Sequence, residues 1–156
     1  MSGEEYSVDT AQQAAGEGTL AEWVSRFLAS PGSDNAPLGQ ELTSRLQNWV
    51  GPVELPIDRL NRLAGPPGQP VLEEVPDDYW RPDVEELAAR IRQGQEPPPV
   101  IVSSDAGKLT LEDGNHRLEA LRRAGRSVTW AIVGFEDLES WRQFLLDRDP
   151  DDSAPR

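Results

Sequence analysis

Between Pro97 and Gly125 the chain changes periodicity twice, and this stretch restricts the fold more than any other. Pro97-Pro98-Pro99 leads into Val100-Ile101-Val102, a short apolar run that reads as a buried strand. Asp105-Ala106-Gly107-Lys108 is a turn, and Leu109-Thr110-Leu111-Glu112 alternates back as the hairpin partner. Asp113-Gly114 ends the alternation. A helix follows from about Arg117 to Ala124 and stops at Gly125. A unit of two strands and a helix has to find further strands beside it and apolar helix faces against it.

The rest of the chain supplies both. Leu20, Trp23, Val24, Phe27 and Leu28 recur at helical spacing, with Thr19 and Glu22 placed for a capping box. Ser30 to Asn35 is a loop, and Leu38, Leu42, Leu46, Trp49 and Val50 predict a second helix ended by Gly51-Pro52. Val53 to Ile57 alternates as a short strand, placed at an edge by Pro56. Asp58 to Leu63 suggests a helical turn, and Gly65 to Pro70 strings together loop formers. Val71 to Pro82 is acidic and without clear period. Asp83 then caps a helix carrying Val84, Leu87, Ala88 and Ile91 on one face, stopped by Gly94. Ser127 to Val133 predicts a strand with Val128, Trp130 and Ile132 on one face. Leu138, Trp141, Phe144 and Leu145 predict a last helix capped by Asp137.

The order implies an α+β fold: a mixed sheet with packed helices and a helical N-terminal extension. The expected divisions are a polar tail at 1–18, a two-helix extension at 19–50, the main domain at 51–146 and a polar tail at 147–156. Trp23, Trp49, Trp130 and Trp141 read as core. Trp80, beside Arg81, is the tryptophan suited to stack on a base.

Composition removes several functions. The 156 residues carry 15 Lys+Arg against 28 Asp+Glu, a net charge of −13. Such a surface does not wrap a polynucleotide, whose affinity comes from Lys and Arg. Cysteine is absent, which excludes disulfides, thiolate metal sites and a Cys nucleophile. No apolar run reaches the roughly 18 residues of a membrane span, and no signal-peptide layout is visible, so a soluble cytoplasmic protein without membrane contact is expected. Between His116 and Arg126, however, four arginines face one glutamate, Glu119, which predicts a local basic helix.

That helix starts at the turn Asp113-Gly114-Asn115-His116-Arg117, which holds the chain's single His. The leading N–H groups of a helix carry partial positive charge and favour anions. Gly114 admits a ligand close to the backbone. Arg117 can grip phosphate with a planar fork, and His116 can donate a hydrogen bond or move a proton. Asp113 can hold a divalent cation such as Mg²⁺ together with substrate phosphates. The same residues also have plain uses: Asp113 as a hairpin end, Gly114 as a turn former, Arg117 and His116 as surface groups.

Gly114-Asn115-His116-Arg117-Leu118-Glu119-Ala120 resembles the G-x-x-R-x-x-A pattern of the ParB N-terminal domain, within the ParB/sulfiredoxin fold. Arg81 to Gly94 and Pro98 to Val102 resemble that family's Arg, acidic helix, Gly and Pro-led strand, and Val53 to Leu60 its opening strand and turn. The likeness runs over residues 53–134. It implies a bacterial domain that binds a nucleoside triphosphate, CTP or ATP, with Mg²⁺. By resemblance, Gly114, Asn115, His116 and Arg117 contact phosphates, with Gly94 and Arg81 near the nucleotide. Asp113 and His116 are the implied catalytic pair, and Asp113 the implied metal ligand.

Departures from the family's branches narrow this. Sulfiredoxin needs a Cys where this chain has Asn115. The short stretch after Val133 leaves no expected room for a DNA-binding helix-turn-helix, so DNA is an unlikely partner. The turn is closest to the Asp-Gly-x-His-Arg of free-amino-acid kinases of the free-serine-kinase type. A kinase also needs a base for the acceptor hydroxyl, for which Glu54, Asp58, Glu73 and Glu74 are candidates. The expected activities are thus a nucleotide-gated switch or triphosphatase, a phosphotransferase on a small hydroxyl substrate, or a non-enzymatic adaptor that docks a protein partner.

Overall fold

Strand-forming residues meet from four separate parts of the chain. The computed structural model describes residues 6–30, 35–62, 77–105 and 108–153, and the side chains of 6–30, 35–60, 84–105 and 108–146. The helices are α1 (Val8–Glu17), α2 (Leu20–Ala29), α3 (Ala36–Arg45), α4 (Asp77–Arg92), α5 (Asn115–Arg123) and α6 (Leu138–Ser153). The strands are β1 (Asn48–Pro56), β2 (Asn61–Arg62), β3 (Val100–Asp105), β4 (Lys108–Asp113) and β5 (Val128–Phe135), and a short 3-10 turn spans Ile57–Arg59.

The five strands form one mixed sheet in the order β1-β5-β3-β4-β2. β1 pairs antiparallel with β5, and β3 antiparallel with β4, while β3–β5 and β2–β4 are parallel. The fold class is therefore α+β, as expected. β1 is an edge strand, which leaves the missing N–H of Pro56 without consequence for the ladder.

Alternation along the strands feeds two cores, one on each face. Leu55, Val100, Val102, Leu109, Leu111, Ala131, Val133 and Phe135 face Val84, Ala88 and Ile91 of α4 and Leu118 and Leu121 of α5. Trp141 and Phe144 of α6 pack on the same core. Ile101 and Ile132 point the other way, into Ala11 and Ala14 of α1, Leu20, Trp23, Val24, Phe27 and Leu28 of α2, and Leu42 of α3. All five apolar residues of the α2 face are buried, each contributing about 1.5–3 kcal/mol before entropy.

Several expectations are corrected. The expected N-terminal tail contains α1. Ser7 Oγ accepts from the Thr10 N–H at 3.2 Å, and the Ser7 N–H donates to Thr10 Oγ1 at 2.9 Å, a capping box. Its buried face consists of Val8, Ala11 and Ala14, and the weak hydropathy of the two alanines hid the period. Thr19 does not cap α2; its hydroxyl donates to the Ala14 carbonyl at 3.3 Å, tying α2 to the end of α1.

α3 ends at Arg45, and Trp49 and Val50 belong to β1. Gly51-Pro52 lies inside that strand because the register shifts between Val50 and Val53, a bulge. Gly51 sits there at φ 140, where a Cβ would come 2.8 Å from the Ala131 carbonyl oxygen. α4 begins at Asp77, ahead of the expected Asp83, and α6 continues to Ser153 through the expected tail from Asp147. On β5 Thr129, Ala131, Val133 and Phe135 are buried on one face and Ile132 on the other; Val128 is exposed and Trp130 half-buried, so Trp130 is not core. The expected cap of α6 is present: the Ser140 N–H donates to Asp137 Oδ1 at 2.7 Å.

An ionic web fixes α3 to the sheet. Arg45 donates to Glu41 at 2.6 Å and Glu136 at 2.7 Å, and its Nη2 lies 3.4 Å from Glu112. The Glu41 hydrogen bond raises the Arg45 guanidinium above its ordinary value, against the effect of burial. Glu112, only 4% exposed, also accepts from the Ser103 hydroxyl at 2.6 Å.

Candidate functional site

The site grows from the end of β4. Asp113 closes the strand opposite Ile101 of β3, and Gly114 turns the chain into α5. Gly114 has φ 118, which side-chain-bearing residues rarely adopt. A Cβ there would lie 2.6 Å from Val100 Cγ1 and 3.0 Å from Arg117 Nη2. Glycine is thus required twice, by backbone and by space. As N-cap it also has no side chain to satisfy the first turn of α5.

Arg117 folds back over this turn. Its Nη2 donates to Asp113 Oδ2 at 2.9 Å, the side chains being 16% and 22% exposed. The Phe27 ring of α2 lies against the guanidinium, 5.2 Å from Cζ to centroid, within cation–π range. Arg117 Nε and Asn115 Oδ1 are buried and make no hydrogen bond. Buried donors without partners are rare, since each one forgoes about 1–3 kcal/mol. One donor and one acceptor are therefore available at the start of α5. His116 is exposed at the same turn.

The other expected site residues divide. Gly94, at φ 105, ends α4 and lines an adjacent cleft of about 230 Å³ with Glu54, Glu96, Leu121, Arg126 and Trp130. This cleft lies at the same sheet end as the turn: Gly114 abuts Val100, Val100 pairs Ala131, and Trp130 precedes Ala131. Of the candidate bases, Glu54 reaches this cleft and Asp58 is exposed in the 3-10 turn. Glu73 and Glu74 lie outside the described residues. Arg81 and Trp80 lie in α4, and their side chains are outside the described ones.

The expected basic helix is largely neutralised. Arg122 and Arg123 both donate to Glu119, at 2.6 and 2.9 Å, and Arg123 also pairs with Glu85 at 2.7 Å. Arg126 donates to the Ile91 carbonyl at 3.2 Å. Charge counting missed the Glu85 and Ile91 partners because they come from α4, whereas the Glu119 pairs lie within α5. The sequence reading likewise missed Phe27, which reaches Arg117 from the opposite core, and the Trp130–Glu96 hydrogen bond in the cleft. No local pattern could have revealed either.

The residues present fit a phosphate better than a bare cation. A donor without a partner and a side-chain-free turn suit an anion. Among the described residues, no group of three or more His, Asp or Glu side chains gathers for a metal. Asp113 alone would hold Mg²⁺, with phosphate oxygens and water completing the shell. Among the described residues, no helix is long and apolar enough to cross a membrane.

No protein-family model matches the sequence. No curated protein matches it either. Among solved structures, sulfiredoxin from Arabidopsis thaliana is similar at 26% identity over 60% of this chain and 94% of that one, with a TM-score of 0.39. The C-terminally truncated chromosome-partitioning protein ParB from Caulobacter crescentus, complexed with CTP-gamma-S, is similar at 22% identity, covering 69% of this chain and 56% of that one, TM-score 0.39. The same protein on the centromeric parS site covers 67% and 51%, again at 22% identity and 0.39. This chain spans about half the length of those ParB chains.

Proposed function

We propose that the turn from Asp113 to Arg117 binds the phosphates of a nucleoside triphosphate, CTP or ATP, with Mg²⁺, in a cytoplasmic domain. The observation that carries this is the buried, unpartnered Nε of Arg117 beside a glycine turn with no room for a side chain. Phosphate oxygens supply the acceptor that Nε lacks. The Asp113–Arg117 pair exchanges partners on binding: Arg117 turns to phosphate and Asp113 to the cation that accompanies it. Charge balance is kept at both groups. Asn115 and His116 complete the contacts at the helix start, with Gly94 and Arg81 assigned to the nucleotide's other end.

The activity assigned to this arrangement is nucleotide-gated switching or slow hydrolysis, with Asp113 and His116 as the reacting pair. DNA is not an assigned partner, because Arg122, Arg123 and Arg126 are engaged within the fold. A second reading, transfer to a small hydroxyl substrate, is favoured by one observation. Glu54 lines a cleft at the same sheet end, where an acceptor and its base can sit.

Calorimetry with CTP, ATP, GTP and UTP in Mg²⁺ tests the binding. The expected result is micromolar affinity for CTP or ATP. Product analysis with amino acids and sugars as acceptors then separates transfer from hydrolysis, and Glu54→Gln should abolish transfer alone. No heat with any nucleotide would leave the protein-docking adaptor as the better reading.

A further inference from the structure

The N-terminal helices have no role in the phosphate chemistry proposed above, yet one of their residues packs against Arg117. Phe27 of α2 is 5% exposed and lies in the core opposite α5. Its ring nevertheless covers the Arg117 guanidinium at 5.2 Å. Phe27 is itself held from behind. Trp23 stacks on it at 5.0 Å with the planes 29° apart, and Tyr6 packs at 5.4 Å. The Trp23 indole N–H donates to Thr10 Oγ1 at 3.1 Å, which anchors this aromatic group to α1.

Arg117 is thus fixed on two sides. Asp113 takes Nη2 in the guanidinium plane, and Phe27 covers a face. A long arginine side chain otherwise loses about 1.5–2 kcal/mol of rotamer freedom when a ligand orders it. Holding it beforehand removes part of that loss from binding.

We propose that Phe27 is a positioning residue for the anion site, and that α1 and α2 complete the site by backing Arg117. This rests on the reading of the turn as a phosphate site. Phe27 does not touch the phosphates. It acts by keeping the guanidinium oriented while Asp113 changes partner.

The test uses the full chain with Phe27→Leu, which keeps apolar volume and removes the ring, and Phe27→Tyr, which keeps the ring. Two readouts are taken. Without ligand, the Arg117 Nε–Hε resonance, assigned with Arg117→Lys, is displaced by the ring current in the parent chain. It should move toward the free-arginine position in Phe27→Leu and stay in Phe27→Tyr. With CTP and with inorganic tripolyphosphate as probes, affinity should fall about fivefold in Phe27→Leu, the size of one cation–π contact, and be restored in Phe27→Tyr. Phe27→Met replaces the leucine variant if that chain does not fold. An unmoved Hε resonance, or equal affinity in Phe27→Leu and the parent, overturns the assignment of Phe27. A parent chain that binds neither probe overturns the phosphate reading, whatever Hε does.

Discussion

Replacing Gly114 by alanine tests the geometry of the turn with one methyl group. Two separate penalties arise. The first is backbone strain: at φ 118 a residue with a Cβ is far from its allowed regions, which costs about 1–3 kcal/mol. The second is steric. The new methyl would lie 2.6 Å from Val100 Cγ1 and 2.9 Å from Val100 Cβ. Val100 is fully buried at the start of β3, so it has nowhere to move. Overpacking of this kind costs about 1–3 kcal/mol. Together the loss is about 2–6 kcal/mol, a large part of the roughly 5–15 kcal/mol that holds a domain folded. For a chain of this size the melting temperature should fall by roughly 4–24 °C. Thermal and urea unfolding followed by circular dichroism give the value.

Two controls separate the penalties. Gly125→Ala changes a glycine at φ 86 with open space around its Cβ, so it carries strain without a clash and should lose only about 1 kcal/mol. The double variant Gly114→Ala/Val100→Ala removes the Val100 Cγ1 methyl at 2.6 Å, the worst of the clashes, and keeps Cβ at 2.9 Å. It should be more stable than the sum of its single changes by at least about 1 kcal/mol. A Gly114→Ala chain that melts within about 2 °C of the parent, or strictly additive losses with Val100, would show that the turn does not require glycine.

Three further outcomes follow from the packing and the site. Ala11→Asp places a charge in the core beneath α1, where Ala11 is fully buried, and should cost about 3–5 kcal/mol in urea unfolding; a polar tail at this position would show no change. Glu119→Gln weakens the two arginine contacts of a carboxylate that is 4% exposed, so the urea midpoint should drop by the equivalent of about 1.5–3 kcal/mol with unchanged slope. MgCl₂ titrated without nucleotide should give no saturable heat, because the described residues offer one carboxylate at the turn; a saturable Mg²⁺ site would contradict that view.

Local pattern and tertiary contact divide what the sequence disclosed. The α2 face, the β3–β4 hairpin and the Gly114 turn were legible because each is written in adjacent residues with the right period. α1 was not, because alanines at helical spacing bury well but score weakly in hydropathy. Trp49 and Val50 continued a helical period by coincidence, and the bulge at Gly51 that lets Gly-Pro sit inside a strand depends on the partner β5. The end of α6 was hidden by its acidic composition. At the candidate site, the grouping of Asp113, Gly114 and Arg117 around one turn was legible from their spacing. The partners that decide how Arg117 behaves were half legible: Asp113 lies one helical turn away, whereas Phe27 reaches it from the other side of the sheet.

Calorimetry of CTP and ATP, with Mg²⁺, on the parent chain and on Arg117→Ala tests whether Arg117 holds the phosphates. Micromolar binding of one nucleotide by the parent and none by the variant is expected, with the two chains giving the same circular dichroism spectrum. Equal binding by both chains, or no binding by the parent, would contradict that role of Arg117.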